Sequence, residues 1–144
     1  LYLRTNKLNK MREIKFRGKR INSGTMDFGD LLNGIGAKYN KKYIYPNVVL
    51  LPKDCHIMDC YEVEPETIGQ YIGLKDNNKK DIYEGDIVNV DCSGISGAMN
   101  DGIYVVSYAV PDCAFCLVQL DGKFAINFNE CYDYEVIGNI YENP

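Results

Sequence analysis

The sequence predicts a mainly β protein, with a small barrel in its C-terminal half and an N-terminal β region packed on that barrel. Its apolar segments are short and are separated by proline, glycine and asparagine, a pattern that favours strands over helices. About six such segments follow residue 65, at the spacing typical of a small barrel. The 12 tyrosines agree with this fold class, because aromatic side chains suit a pleated, half-buried surface.

At the N-terminal side, residues 12–17 alternate between apolar and charged side chains. The alternation predicts a half-buried strand with Ile14 and Phe16 facing the core. A turn at residues 22–24 then leads into a returning strand that begins near Met26. The charged residues of the first strand are expected to face solvent, and they are Glu13, Lys15 and Arg17.

The centre of the chain has the clearest strand pattern. Gly69 and Gly73 interrupt a run of strand-forming residues, and a glycine inside a strand marks a bulge, a bend or a close backbone approach. Residues 87–92 alternate, so one face of that strand is expected to be buried. The polar turn at residues 77–80 contains two asparagines, which tolerate a left-handed backbone and therefore suit a hairpin.

The C-terminal third continues the sheet. Residues 103–110 have a strand pattern, and Asp121-Gly122 is a two-residue hairpin signal. Residues 134–141 are expected to close the sheet.

The composition is that of a soluble globular protein, with 46% hydrophobic and 25% charged residues. No segment approaches the ~20 apolar residues of a membrane-spanning helix, and the N-terminus lacks the apolar region of a signal peptide. We therefore expect a cytoplasmic protein without membrane contact, whose cysteines are reduced thiols. The six cysteines are Cys55, Cys60, Cys92, Cys113, Cys116 and Cys131.

The sequence predicts no catalytic residue, metal ion or cofactor. Cys113 and Cys116 have the spacing of a zinc knuckle or a redox pair, but a strand places them on opposite faces. His56 is the only histidine, and no nucleophile motif accompanies it. Glu84 and Asp86 flank a glycine, a pattern typical of turns in which carboxylates accept backbone N–H bonds.

The charge is distributed unevenly along the chain. Residues 1–20 hold eight Lys or Arg and one Glu, whereas residues 21–144 hold eight basic and nineteen acidic residues. Basic side chains interleaved with aromatic ones suit single-stranded nucleic acid, and Tyr43 and Tyr45 are candidate stacking partners. The candidate nucleic-acid-binding residues are Arg12, Lys15, Arg17, Lys19 and Arg20.

Segments of the chain, taken together, resemble the YopX family: Met11–Arg20, the central pair Glu66–Asp76 and Ile82–Val88, and Val136–Pro144. The resemblance covers essentially the whole chain from Met11 onward. It implies a bacteriophage or prophage origin and an SH3-like form for the C-terminal barrel, and it carries over no biochemical activity.

The resemblance and the residue patterns together suggest three parts. Residues 1–10 are expected to be a disordered upstream extension, residues 11–64 the N-terminal β region and residues 65–144 the SH3-like barrel. We expect a phage or prophage accessory protein that acts by binding and is not an enzyme. Its expected partners are a second copy of itself and a host or phage protein. The alternative is a nucleic-acid-binding protein that uses the basic N-terminal strand.

Overall fold

The computed structural model describes residues 11–33, 41–46, 60–91, 101–130 and 133–142. Within these ranges, eleven strands form two antiparallel sheets. The strands are β1 (Phe16–Lys19), β2 (Met26–Asn33), β3 (Lys42–Pro46), β4 (Tyr61–Val63), β5 (Gly69–Lys75), β6 (Asp81–Tyr83), β7 (Asp86–Asp91), β8 (Gly102–Ala109), β9 (Ala114–Gln119), β10 (Ala125–Asn127) and β11 (Asp133–Asn139). Two three-residue 3-10 helices are Pro65–Thr67 and Phe128–Glu130.

The first sheet has the order β4-β3-β2-β1-β5-β6. Its β4 edge bends back to the end of β1, where the Glu64 N–H donates to the Lys19 carbonyl over 2.9 Å. Val63 fills the space inside this bend and is almost completely buried. A Cβ atom on Gly18 would lie 2.9 Å from a methyl carbon of Val63. The absent side chain of Gly18 therefore allows β4 to pack against β1.

The second sheet has the order β10-β9-β8-β7-β11. Alternate side chains of its strands point to one face and form the main core of the described ranges. Ile82 of β6, in the first sheet, joins this core. The core residues of the second sheet are Val88, Val90, Tyr104, Val106, Leu117, Ile126, Tyr134 and Val136.

Asp76, at the β5–β6 turn, connects the two sheets. Its Oδ1 accepts the N–H groups of Asn78 and Lys80, each over 2.8 Å, and its Oδ2 accepts the N–H of Val136 over 3.0 Å. Burial would raise the pKa of Asp76, but these backbone donors outweigh burial and hold the pKa below its ordinary value. The left-handed residue of this turn is Lys79, with φ 65°, rather than an asparagine as the sequence suggested.

The prediction of a mainly β protein is confirmed. Asp121-Gly122 lies in the turn between β9 and β10, where Gly122 has φ 71°, but five residues separate these strands rather than the two that the sequence predicted. The SH3-like closure of residues 65–144 is not confirmed and stays a prediction. β5 and β6, which follow the predicted boundary at residue 64, belong to the same sheet as β1 to β4. Neither 3-10 helix of the described ranges has the length or the apolar character needed to span a membrane.

The predicted orientation of the first strand is wrong. Ile14 lies before β1 and is 59% exposed, although it was expected in the core. Arg17 was expected in solvent, yet it is 4% exposed. The cause is tertiary, because a second sheet covers the side of β1 that carries Arg17.

Several predicted features lie outside the described residues, namely the extension at residues 1–10, His56, Cys55, Cys92 and Cys131.

Candidate binding cleft

A buried ion pair joins the two sheets. Arg17 of β1 donates from Nη1 to Oδ1 of Asp86, the first residue of β7, and the two residues are 4% and 2% exposed. The second guanidinium nitrogen, Nη2, donates to the carbonyl of Glu84 over 2.9 Å. Oδ2 of Asp86 accepts the N–H of Tyr83 over 2.7 Å, which confirms the predicted turn chemistry for this carboxylate.

The turn between β6 and β7 places Asp86 next to Arg17. Gly85 has φ 83° in this turn, a conformation that favours glycine. Its N–H donates to the carbonyl of Val106 over 2.8 Å, and its carbonyl accepts the N–H of Ile140 over 3.0 Å. A Cβ atom here would lie 2.7 Å from the ring of Tyr141. Gly85 is thus fixed between the strands of the second sheet and the chain after β11.

Burial and charge act in opposite directions on Asp86. Burial raises its pKa, whereas the Arg17 guanidinium and the Tyr83 N–H favour the ionised carboxylate; burial is the larger effect, and the pKa of Asp86 lies above its ordinary value. Burial also raises the pKa of Tyr83 to about 12, so its hydroxyl is neutral at physiological pH. The guanidinium carbon of Arg17 lies 5.3 Å from the centroid of the Tyr83 ring, within cation–π range.

A second ionic cluster lies beside the first. Nζ of Lys15 contacts Oδ2 of Asp81 at 2.7 Å and Oε1 of Glu13 at 3.0 Å, and it lies 4.4 Å from the centroid of the Tyr71 ring. Partial burial lowers the pKa of Lys15, but the hydrogen bonds to Asp81 and Glu13 outweigh this effect and raise the pKa overall. Lys75 also pairs with Asp81.

Both clusters contribute to the lining of a cleft of about 710 Å³. The first sheet adds the apolar side chains of Met26, Phe28 and Pro46 to this lining. From the second sheet come Gly138 and Asn139. The ring of Phe28 lies 5.4 Å from that of Tyr83, and half of Phe28 is exposed. The cleft therefore combines ionic groups with an accessible aromatic surface.

The five predicted nucleic-acid-binding residues do not form one exposed face. Lys15 and Arg17 line the cleft and are paired with carboxylates. Arg20 pairs with Asp27 and covers the ring of Tyr61.

The other two basic residues have different neighbours. Arg12 lies 5.8 Å from the centroid of the Phe115 ring, and the Lys19 N–H donates to Oγ1 of Thr67 over 2.9 Å. Tyr43 and Tyr45 lie on β3, which β2 separates from β1. Binding of nucleic acid stays a prediction.

The comparison with known proteins decides the family. A family model described as YopX protein matches residues 15–144. The chain belongs to the YopX family. This YopX protein is also similar to a solved structure, protein EF1440 from Enterococcus faecalis, with a TM-score of 0.50 and 25% sequence identity. That match covers 93% of this chain and 97% of the other. No curated protein gave a significant match.

The structure also places three of the cysteines of this YopX protein. Cys60, Cys113 and Cys116 form no disulfide. Cys113 is exposed, whereas Cys116 is buried in β9, and burial raises the pKa of its thiol. Among the described residues, no group of three or more His, Cys, Asp or Glu is arranged to hold a metal ion.

Sequence reasoning missed Phe28, Asp81 and the pairing of Arg17 with Asp86. The partners in that pair are 69 residues apart, and a local pattern carries no information on such a contact. Gly85 was the available signal, because a glycine beside a charged residue marks a tight turn or a close backbone approach.

Proposed function

We propose that this YopX protein is a phage or prophage accessory protein that acts by binding, without catalysis, and that the cleft is its binding site. The observation that carries the proposal is the lining of the cleft, which comes from both sheets and includes the half-exposed ring of Phe28. Its volume of about 710 Å³ lies within the range of about 300 to 1,000 Å³ for ligand-binding sites.

The state of the ionic groups supports binding over catalysis. Both oxygens of Asp86 already accept hydrogen bonds, from Arg17 and from the Tyr83 N–H, and Asp86 is buried. Lys15 is bonded to two carboxylates. The pKa of Tyr83, at about 12, lies far from neutrality. A general acid or base functions best with a pKa near the working pH and with access to substrate, and these groups lack that combination.

Ligand mapping by NMR tests the proposal. A ¹⁵N-labelled sample is titrated with a library of short peptides and small polar compounds, and amide shifts are recorded. We expect the largest shifts at cleft residues such as Phe28, Gly29 and Gly138, and loss of the shifts in Phe28→Ser. Phe124→Ser is the matched control, because Phe124 is 65% exposed and does not line the cleft. Ligands that shift only residues remote from the cleft, or no binding at all, would contradict the proposal.

Self-association is a second part of the proposed function. It is supported by exposed apolar side chains on the second sheet, among them Ile103 in β8 and Ile137 in β11. Such side chains are common at subunit contacts. Light scattering at tens of micromolar measures the mass in solution, and a strictly monomeric mass would remove self-association from the proposal.

A further inference from the structure

We propose that the outward face of the second sheet binds the same face of a second copy of this chain, so that two molecules pack sheet on sheet. The outward face is the side of β7 to β11 that lies opposite the core. This assignment rests on the proposed self-association and names the surface responsible for it. Three features favour a second copy as the occupant: an apolar row across the sheet, the area of the face and the position of its acidic residues.

The apolar row crosses the outward face from β7 to β10. The strand register pairs Ile87 with Val105, Val105 with Val118, and Val118 with Ala125. Each of these residues is adjacent in sequence to a core residue, so alternation turns the row away from the core. Ala125 is exposed and the other three are half-buried. Because a sheet with one face in water normally carries polar side chains on that face, an unbroken apolar row indicates a binding partner.

The apolar surface extends beyond the row at one end of β8 and β9. Ile103 lies two residues before Val105, on the same face by alternation, and is 43% exposed. Leu120 directly follows β9 and is 61% exposed. Contiguous exposed apolar surface in a soluble protein marks an interaction site, whereas single exposed apolar residues need no explanation. The continuity of this surface therefore sets it apart from scattered apolar side chains.

The outward face is large enough for a stable dimer. Its five strands are about six residues long on average. At about 4.8 Å between strands and about 3.3 Å per residue, the face covers about 500 Å². The accessible area of a pleated face exceeds its projected area, so two such faces bury at least about 1,000 Å², which is the area expected of a specific interface.

The acidic residues of the outward face lie at one corner. Asp133 of β11 pairs with Asp91 of β7, and Glu135 lies two residues further along β11; all three are exposed. None of the five strands contains lysine or arginine. A two-fold axis that runs along the apolar row places row on row and carries the acidic corner of one copy away from that of its partner. Two copies can therefore cover their apolar rows without bringing like charges together.

Val105 lies near the centre of the face, because β8 is the central strand of the second sheet. In an interface with two-fold symmetry, a residue close to the axis contacts its own counterpart. Packed sheets lie about 10 Å apart, with their side chains interdigitating. The two Val105 side chains of a dimer should therefore lie close to each other.

Opposite charges at residue 105 test this arrangement. Sedimentation velocity over a range of micromolar concentrations gives the mass of the parent chain, of Val105→Lys and of Val105→Glu. We expect a dimer for the parent and a dissociation constant at least about 100-fold higher for each variant, because both copies would bury an unpaired charge. An equimolar mixture of the two variants should recover at least about tenfold in affinity, since the opposite charges then lie together.

Ile103→Lys and Leu74→Lys form a matched pair. Both parent side chains are 43% exposed, but Leu74 belongs to β5 in the first sheet. Ile103→Lys should weaken the dimer about five- to tenfold, and Leu74→Lys should leave it unchanged. Circular dichroism and melting temperatures show whether each variant is folded. If the Val105 variants do not fold, Ile103→Lys at its exposed position still tests the face.

The outcomes separate the assigned face from self-association itself. A parent dimer that Val105→Lys and Ile103→Lys both leave intact would overturn the assigned face while self-association stands. Equal weakening by Ile103→Lys and Leu74→Lys, or a mixture of the two Val105 variants that stays monomeric, would also overturn the arrangement. A strictly monomeric parent would overturn both, and binding of that monomer to phosphatidylcholine vesicles would identify a lipid surface as the occupant instead.

Discussion

Replacement of Arg17 by methionine would leave the carboxylate of Asp86 buried without its counter-ion. Removing one partner of a buried ion pair costs about 3 to 5 kcal/mol, and the carbonyl of Glu84 also loses a donor. A domain has a total free energy of unfolding of about 5 to 15 kcal/mol. We therefore expect Arg17→Met to lose a large part of its stability and to melt at least about 10 °C lower.

The pair Arg17→Met and Asp86→Asn tests the cause of this loss. An asparagine side chain keeps an oxygen that can accept the Tyr83 N–H but carries no charge. The double variant is therefore expected to be more stable than Arg17→Met, by about 1 to 3 kcal/mol. Urea unfolding followed by circular dichroism measures the free energy of unfolding for the parent, both single variants and the double variant, which completes the cycle.

The pH dependence gives an independent signature. The folded-state pKa of Asp86 is already raised in the parent, and Arg17→Met removes the guanidinium that lowers it, so in the variant the pKa lies further above its unfolded value of about 3.9. The folded state then binds more protons, so the stability of Arg17→Met should decrease as the pH rises above about 4, and by a larger amount than the stability of the parent. Arg20→Met is the control, because its pair with Asp27 is partly exposed and such pairs contribute about 0 to 1 kcal/mol. Equal losses for Arg17→Met and Arg20→Met would refute the reasoning.

Three further substitutions test other contacts. Asp76→Asn should lower the free energy of unfolding by about 1 to 3 kcal/mol at pH 7. Because the folded-state pKa of Asp76 is lowered, the parent loses this contribution as the pH falls below about 4. Urea unfolding should therefore show a smaller difference in stability between the two proteins at pH 3 than at pH 7. Gly85→Ala combines a left-handed φ with a clash against the ring of Tyr141, and it should lower the free energy of unfolding by about 2 kcal/mol or more. Gly122→Ala also has a left-handed φ but meets open space, so its loss should be about 1 kcal/mol. Equal melting temperatures of the two variants would contradict this prediction. Gly18→Ala should lower the free energy of unfolding by about 1 to 3 kcal/mol. The double variant Gly18→Ala with Val63→Ala should lose less stability than the sum of the two single variants, because the smaller side chain at residue 63 removes the clash. A loss equal to that sum would show that the two residues do not clash.

The sequence predicted the parts of the fold that depend on local patterns. Residues 103–110 were expected to be a strand, and β8 covers Gly102–Ala109. A turn at Asp121-Gly122 was also expected and lies between β9 and β10, because glycine there meets a local backbone requirement, although the connection has five residues instead of two. Alternation of side chains determines such elements without reference to the rest of the chain.

The cleft could not be predicted in the same way. Alternation shows that a strand has two faces, but it does not show which face a second sheet covers. For β1 the covered face is the one with Arg17, and its partner Asp86 is 69 residues away. Phe28 became part of the candidate site only through the pairing of β1 with β2, where it lies opposite Arg17. These contacts are set by tertiary structure.

The hydrogen bond from the Val136 N–H to Asp76 also has a consequence during protein synthesis. The carboxylate and its partner are 60 residues apart, and β11 leaves the ribosome after the other described strands of both sheets. Until β11 emerges, the β5–β6 hairpin lacks this donor and the second sheet lacks an edge strand. We expect the nascent chain to complete its fold late, after translation of β11, and to remain susceptible to proteases until then.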